Sequence, residues 1–360
     1  MIITDAIILE KFEEYEEHLA KCKRVDLLRW KNLEKSGPLT SYIERKCCNP
    51  NSKLPNMLMV GSLPGSLDEN MFGIVNPTIE AMRIKTSYLK DFSAAAVLAT
   101  IVEPTVDDPF RSVVVKWMEI DIPLASLGIV RNRDYVYIES TGILTLRNGD
   151  RVGYHLLHSA SFPEAPELPN RVRGNMSFGG IFHQEAPDQT DIRETGIMDP
   201  RGDMIQSMAI AGMVQATMAG LKYSHCSQMK KLALLLEQRQ TAARESGTPA
   251  CRPFCIRCTK GVKSSRFGGP MNTCKLCFKA VCSSCKIAKK LSFIAPDLTL
   301  VPRKVTFCVK CILEATQMDT QEAARKQFVY KKCISFTPMS GFVSASDSSE
   351  TIMSSYSPLT

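Results

Sequence analysis

The chain of 360 residues is long enough for about two domains, and its 44% apolar and 23% charged residues exclude a wholly disordered protein. Its first 18 residues carry acids within a short apolar stretch and no basic flank, so they do not predict a signal peptide, and no run approaches the ~18 apolar residues of a membrane span. A cytoplasmic protein is therefore expected, in which the clustered cysteines among the fourteen serve as thiolate ligands rather than disulfides.

The positive charge is concentrated in one part of the chain. Residues 251–333 contain 17 Lys and Arg against four acids, a net charge of +13, whereas the whole chain carries only +8. The remainder of the chain is therefore acidic. A compact basic module predicts an anionic partner, either a phosphorylated lipid headgroup on a membrane or a nucleic acid.

The first element is predicted to be a helix over residues 5–35, within an N-terminal helical segment that covers residues 1–50. Apolar residues recur at nearly helical spacing from Leu9 to Leu28 among many Glu and Lys, and Ser36-Gly37-Pro38 ends the pattern.

A β-rich region follows and is predicted to form a meandering antiparallel sheet. Its short β-rich runs are separated by Gly, Pro, Asn or Asp, which is typical of hairpins. The runs cover residues 94–102, 112–120, 133–140, 142–146, 152–161, 171–183 and 190–197. Asn148-Gly149 is the strongest hairpin signal among them.

A long helix is predicted to begin at Asp199-Pro200 and to run to about Ala243, because Asp suits the N-cap and Pro the first helical position. Residues 204–221 are apolar on nearly all sides, so they are expected to be buried on most sides. They fit either a core helix on the sheet or a lid over an apolar cavity, where Met adapts to irregular space. The candidate cavity residues are Met204, Met208 and Met213.

The rest of the chain is divided by composition. Residues 51–243 are assigned to the sheet domain, 244–250 to a linker and 251–333 to the cysteine-rich module. Residues 334–360 are rich in Ser and poor in apolar residues, which predicts a disordered tail.

Four Cys-x2-Cys pairs stand in the module, separated by 15, 4 and 22 residues. One pair supplies two adjacent corners of a zinc tetrahedron, and two pairs close a structural site, so four pairs predict two structural Zn²⁺ ions. The short middle interval favours interleaved sites. The first zinc takes Cys255, Cys258, Cys282 and Cys285; the second takes Cys274, Cys277, Cys308 and Cys311. Cys251 and Cys333 are expected to be spare thiols.

This array resembles the FYVE zinc finger rather than a RING finger, which would place His among its ligands. The resemblance implies a small cross-brace fold and binding of phosphatidylinositol 3-phosphate on endosomal membranes. The three headgroup motifs of that family are replaced here by the sequences at 251–254, 269–275 and 305–308. A looser attraction to anionic lipid is expected instead, through Lys275, Lys279, Arg303 and Lys304.

The preceding region resembles a START domain in its order of elements and in the segments at 115–124, 131–144 and 172–174. A START domain followed by a FYVE-like finger resembles the START/FYVE-like proteins of oomycetes. The resemblance implies an α+β helix-grip fold, an antiparallel sheet closed by a long C-terminal helix, with one lipid or sterol in an apolar cavity. Arg133 and Asp134 are candidates for a charged pair that orients the ligand; the alternative is that they form an exposed strand start.

The favoured hypothesis is a non-enzymatic lipid-binding adaptor whose finger docks on an anionic membrane or on a small GTPase. The alternative is a nucleic-acid-binding zinc-finger protein, which the basic module suggests. Few aromatic residues and no recognition-helix pattern in the finger disfavour that alternative. An enzyme that uses the cavity is disfavoured because the sequence holds no evident nucleophile and base pairing.

Overall fold

The structure is a computed structural model that describes residues 2–46, 54, 56–89, 94–120, 131–202, 204, 206–247, 251–263 and 272–330. The predicted disordered tail, Cys333 and the end of the predicted linker at 248–250 lie outside the described residues.

A ten-stranded sheet forms the body of the molecule. Its strands are β1 (Trp30–Ser36), β2 (Leu39–Glu44), β3 (Met57–Pro64), β4 (Ala94–Val102), β5 (Ser112–Ile120), β6 (Asn132–Thr145), β7 (Arg151–Ser159), β8 (Arg171–Arg173), β9 (Asn175–Ala186) and β10 (Gln189–Asp199). The order is β1-β2-β3-β10-β9-β7-β6-β5-β4, with antiparallel neighbours throughout, and β8 runs parallel beside β6.

Seven α-helices are described around this sheet and in the cysteine module. They are α1 (Ile2–Ala20), α2 (Leu67–Ile74), α3 (Ile79–Leu89), α4 (Gln206–Met218), α5 (Tyr223–Ser246), α6 (Val309–Gln317) and α7 (Thr320–Ala324). A hairpin of β11 (Ile287–Ile294) and β12 (Leu300–Phe307) lies within the module. None of the described helices combines the length and the apolar character that crossing a bilayer requires.

The sheet has two covered faces, because alternate side chains of each strand point in opposite directions. On the outer face, Ile8 and Tyr15 of α1 pack on Val152, Leu156 and Ile181. On the inner face, α2, α4 and α5 pack on the neighbouring side chains of the same strands. A long antiparallel sheet that curves around a C-terminal helix is the α+β helix-grip fold that the sequence predicts.

The N-terminal segment differs from the helix expected over residues 5–35. The helix ends at Ala20, and Cys22 and Lys23 adopt left-handed backbone conformations with φ of 54° and 57°. Few side chains other than Gly enter that region readily, and it cannot continue a right-handed helix. Trp30 then starts a hairpin of β1 and β2 that extends the sheet, so residues 1–50 are only partly helical.

Two helices that were not predicted, α2 and α3, lie in the sheet domain before the first predicted strand run. The first turn of α2 is fixed by a capping box: Ser66 Oγ accepts from the Glu69 amide at 3.2 Å, and the Glu69 carboxylate accepts from the Ser66 amide at 3.3 Å. These two helices place side chains over the inner face of the sheet.

The C-terminal helix begins later than expected. Asp199 ends β10, and its carboxylate accepts from the Arg201 amide at 3.0 Å instead of capping a helix. The helical path starts at Gln206, passes a 3₁₀ turn at Ala219–Lys222 and ends at Ser246, inside the predicted linker.

The helix α5 contributes to two hydrophobic cores. Cys226 and Leu234 join the core between the sheet and α2, whereas Leu232 and Leu235 join the core of the cysteine module. The module therefore packs on the same helix that closes the sheet.

The chain returns to the sheet domain after the module. Ala323 and Ala324 of α7 are fully buried in the core that contains Phe72, and Phe328 lies edge-on to Phe72 with ring centroids 5.9 Å apart. The predicted finger at 251–333 differs in this respect, since its last part belongs to the packing of the larger domain.

Candidate functional site

The first two cysteine pairs occupy matching tight turns. Thr259 and Phe278 each follow the second cysteine of a pair, with φ of 58° and 59°, and their amides donate to the carbonyls of Cys255 and Cys274 at 2.9 Å. A left-handed bulky residue is uncommon and is retained where the surroundings require it. Both turns therefore share one backbone shape that brings two sulfur atoms together.

The eight cysteines form two groups of four. The first is Cys255, Cys258, Cys282 and Cys285, and the second is Cys274, Cys277, Cys308 and Cys311. Within each group all sulfur atoms lie within 4.8 Å of one another. This grouping joins pairs one and three and pairs two and four, which is the interleaved arrangement that the spacing indicates.

The sulfur spacing fits a tetrahedral metal. A Zn–S bond of about 2.3 Å implies about 3.8 Å between sulfurs at adjacent corners of a tetrahedron. Cys258 Sγ and Cys282 Sγ are 3.6 Å apart, and Cys277 Sγ and Cys308 Sγ are 3.9 Å apart. These distances are far longer than the ~2.05 Å of a disulfide. Four thiolates leave no open position, so each group suits a structural ion.

The basic residues expected to attract lipid are not equivalent. Lys279, Arg303 and Lys304 are exposed, whereas Lys275 is half-buried and its carbonyl accepts from Gln240 Nε2 of α5 at 2.9 Å. Lys304 lies directly opposite Lys290 across the β11–β12 hairpin, and both side chains are exposed. Like charges in that position destabilise a hairpin, so an anion placed between them would be stabilising.

Arg133 is only 2% exposed, so the alternative of an exposed strand start is wrong. Its guanidinium donates to the carbonyls of Arg131, Pro200 and Arg201, the last at 3.0 Å. These bonds tie the start of β6 to the connection between β10 and α4.

Asp134 is fully buried next to Arg133, and it too bonds to protein groups. It accepts from Arg173 at 2.8 Å and from the Trp117 indole at 2.9 Å. The pair therefore joins strand ends, while the other oxygen of Asp134, Oδ1, is buried without a hydrogen-bond partner among the described residues.

The candidate methionines divide between surface and interior. Met204 and Met208 are half-buried near the start of α4, whereas Met213 is 2% exposed. Met213 lies in an inner-face cluster with buried methionines from four other elements: Met57, Met82, Met118 and Met176. The exposed side of α4 carries small residues such as Ala211 and Ala216, so this helix is less buried than its composition predicts.

A row of charged residues crosses the inner face beside this cluster. Lys116 Nζ donates to the Asn76 carbonyl at 2.7 Å, to Asn76 Oδ1 and to Glu139 Oε2. The other Glu139 oxygen accepts from His155 Nε2 at 2.8 Å. Burial alone would raise the pKa of Glu139, but Lys116, Lys85 and His155 outweigh it and hold the pKa well below its usual value. Lys116 and Glu139 thus neutralise each other.

Among the charged residues of this row, Lys85 of α3 and Glu194 of β10 have the fewest hydrogen-bond partners. Lys85 is 5% exposed; among the described residues its nearest carboxylate oxygen is Glu139 Oε1 at 3.8 Å, beyond hydrogen-bond distance. Glu194 has no hydrogen-bond partner among the described residues, and burial raises its pKa to about 7 against the opposing charge of Lys85. Glu194 nevertheless keeps part of its surface accessible.

Gly180 lies on the strand between two of these groups. It pairs with Glu194 on one side and with His155 on the other, and it carries no side chain. Two strand spacings separate Glu194 from His155 by about 10 Å. Lys85, Glu139, His155, Gly180 and Glu194 are called the polar notch below.

The sequence interpretation missed the polar notch. Its signal was a charged residue inside an apolar strand: Lys116 interrupts the run at 112–120, and Glu139 interrupts the run at 133–140. Such residues must find partners when buried, so they mark a site more specifically than Arg133 and Asp134 do.

No protein-family model matches the chain, and a search of curated proteins finds no match. Solved structures similar to it include human STARD10, at 14% identity, with 66% of this chain and 88% of that chain covered and a TM-score of 0.42. Human StAR-related lipid transfer protein 5 is 15% identical over 61% of this chain and 97% of its own, with a TM-score of 0.43. A STAR-related lipid transfer protein from Xanthomonas axonopodis is 16% identical over 55% of this chain and 98% of its own, with a TM-score of 0.40. At these TM-scores, function must be argued from the residues of this chain.

Proposed function

We propose that this chain is a non-enzymatic lipid-binding adaptor. The inner face of the sheet holds one amphiphilic ligand, such as a lipid or sterol, and the cysteine module is a two-zinc finger that docks on an anionic membrane. Glu194 is the single observation that carries the ligand claim, because burial raises the pKa of its carboxyl although the residue as a whole is only half-buried. A side chain behaves in this way when it faces an enclosed space rather than bulk water or packed atoms.

The surroundings of Glu194 suit an apolar ligand with a polar end. Met198 lies on the same strand face and is only partly buried, as are Leu157 of β7 and Ile120 of β5 in the same cluster, although helices cover this face. Methionines dominate the adjoining cluster, and their flexible side chains adapt to ligands of irregular shape. The polar notch would meet the headgroup.

The zinc ions would act structurally. Eight thiolates hold two ions with no open coordination position, and the small module has little core of its own apart from its contact with α5. The exposed Lys290, Arg303 and Lys304 form the basic surface that would meet the membrane.

Native mass spectrometry of the purified full chain tests the ligand and the zinc together. The expected result is two zinc ions per chain and, after exposure to mixed lipid vesicles, one bound lipid per chain. A chain that binds no lipid of any class would contradict the ligand claim, whatever its zinc content.

Flotation with vesicles tests the basic surface. Vesicles containing anionic lipid should capture the wild-type chain at low salt, and replacing Lys290→Glu and Lys304→Glu together should abolish capture. Retained capture by that variant, or a preference for DNA or RNA over vesicles, would favour the alternative of a nucleic-acid-binding protein or a different surface.

A further inference from the structure

The buried charges around the polar notch do not balance. Lys116 and Glu139 cancel, and Lys85 then remains without a hydrogen-bonding anion among the described residues. Lys230 of α5 adds a second ammonium group, which donates to the carbonyls of Phe72 and Val75 at 2.7 and 3.0 Å. Buried cations are costly unless they are paired.

The carboxylate nearest to Lys85, Glu139 at 3.8 Å, is already neutralised by Lys116. Glu194 is the second carboxyl whose charge interacts with Lys85. It lies on the next strand but one from His155, and it makes no hydrogen bond to Lys85. Burial favours its protonated form near neutral pH. A protonated carboxyl donates one hydrogen bond and still accepts others, so Glu194 and Lys85 together offer donors to an acceptor between them.

We propose that the polar notch binds the carboxylate of a long-chain amphiphile, with Lys85 as its cation and Glu194 as a hydrogen-bond donor. This inference rests on the proposed function and names the ligand class for the same site. Gly180 carries no side chain between Glu194 and His155, and the atoms nearest to the position that a Cβ would take belong to Phe182 and Glu194, at 3.4 and 3.5 Å. The adjoining methionine cluster accommodates the chain.

A compact headgroup with one negative charge fits the polar notch better than a neutral headgroup or a bulky one. A neutral alcohol would leave Lys85 uncompensated, whereas one carboxylate cancels its charge. A phosphate dianion would need a second free cation, and Lys116 and Lys230 are already engaged by Glu139 and by backbone carbonyls.

The binding should depend on pH because the carboxylate binds only when Glu194 carries its proton. The charged group that acts on Glu194 directly is Lys85 on α3. Lys85 in turn interacts with Glu139 on β6, His155 on β7 and Lys230 on α5, and Lys116 on β5 bonds to Glu139. Burial lowers the pKa of His155, and the neighbouring cations hold the pKa of Glu139 well below its usual value. Burial also lowers the pKa of Lys230 to about 8, so Glu194 is the carboxyl that titrates between pH 6 and pH 8, and Lys230 begins to lose its proton at the upper end of that range. Because the pKa of Glu194 is about 7, the fraction of chains in which Glu194 is protonated falls about tenfold between pH 6 and pH 8.

The test uses the delipidated, zinc-loaded full chain with dodecanoate, 1-dodecanol and dodecyl phosphate as probes. Dodecanoate should bind at pH 6, about tenfold more weakly at pH 8, and more tightly than 1-dodecanol at both. Lys85→Met should remove the preference for dodecanoate while 1-dodecanol still binds, which shows that the variant is folded. Glu194→Gln should keep dodecanoate binding and make it independent of pH between 6 and 8.

The outcomes separate this inference from the proposed function. Equal binding of 1-dodecanol and dodecanoate, or no effect of Lys85→Met on their ratio, would overturn the inference and leave the lipid-binding function standing. Tighter binding of dodecyl phosphate than of dodecanoate would overturn the carboxylate assignment. Failure of all three probes to bind would refute both.

Discussion

The shared helix α5 predicts that the sheet domain and the cysteine module unfold together. Leu232 and Leu234 are two positions apart on this helix, and each is 2% exposed. Leu232 packs in the core of the module, and Leu234 packs in the core of the sheet domain. The substitutions Leu232→Ala and Leu234→Ala are therefore matched in chemistry and burial but face opposite partners.

Each substitution should cost about 2–5 kcal/mol of unfolding free energy, the usual range for a buried Leu replaced by Ala. For a chain of this size, about 3 kcal/mol lowers Tm by roughly 5 °C. If zinc is released only on joint unfolding, the same loss makes release to a chelator about 100-fold faster, since each 1.4 kcal/mol is a factor of ten. Leu232→Ala and Leu234→Ala should each lower Tm and speed zinc release to a similar degree.

Calorimetry and a colorimetric chelator assay on the full chain measure these quantities. One cooperative transition that both substitutions lower, with faster zinc release in both, is the expected result. Two separate transitions, with Leu232→Ala lowering one and Leu234→Ala only the other, would show that α5 does not couple the two cores and would refute the reasoning.

Three further predictions concern single sites. Cys274→Ser should reduce the zinc content from two ions to one by native mass spectrometry, whereas the same change at exposed Cys22 should leave it unchanged. Gly196→Ala should lower stability by about 1–3 kcal/mol in thermal unfolding, because its new Cβ would lie 2.1 Å from Phe178 Cδ1; Phe178→Leu should restore part of the loss. Glu194 has a folded pKa of about 7, above its ordinary 4.5, so its contribution to stability is full below pH 4.5 and is lost as pH rises through 7. Glu194→Gln should therefore gain stability relative to wild type between pH 5 and pH 8, by up to about 3 kcal/mol in denaturant titrations, and an unchanged difference would contradict the burial of Glu194.

The sequence was most informative where chemistry restricts spacing. The four-residue interval between Cys277 and Cys282 limits which sulfurs can meet, and the structure groups the pairs as that interval suggests. The strand pattern also predicted the antiparallel sheet, because period-two alternation and hairpin turns are local signals.

The sequence was least informative where apolar residues recur at helical spacing but do not belong to a helix. Leu27 and Leu28 extended a helical pattern from the first helix, but they lie in a turn and are 62% and 84% exposed. In the same way, α2 and α3 were overlooked inside a β-rich region although Ser66 and Glu69 have the spacing of a capping box. Missing α3 also meant missing Lys85, which reaches the inner face only from that helix.

Long-range packing explains the remaining differences. Leu232, Leu234 and Leu235 of α5 are all buried, because one core lies on one side of this helix and a second core lies on its other side. The local sequence pattern does not predict that the cysteine module packs on this helix, because that contact joins residues far apart in the chain.

The return of the chain through α7 gives the finger a fixed direction. A finger attached by one loose linker would sample many orientations, whereas this one is held by α5 at its start and is followed by Ala323, Ala324 and Phe328 packed into the larger domain. Ser292 of its hairpin also bonds to Ser87 and Tyr88 of α3, at 2.8 Å each. Any surface that the basic hairpin lies on would therefore always meet the same side of the sheet domain, so the approach of a ligand to the inner face would have one geometry relative to that surface.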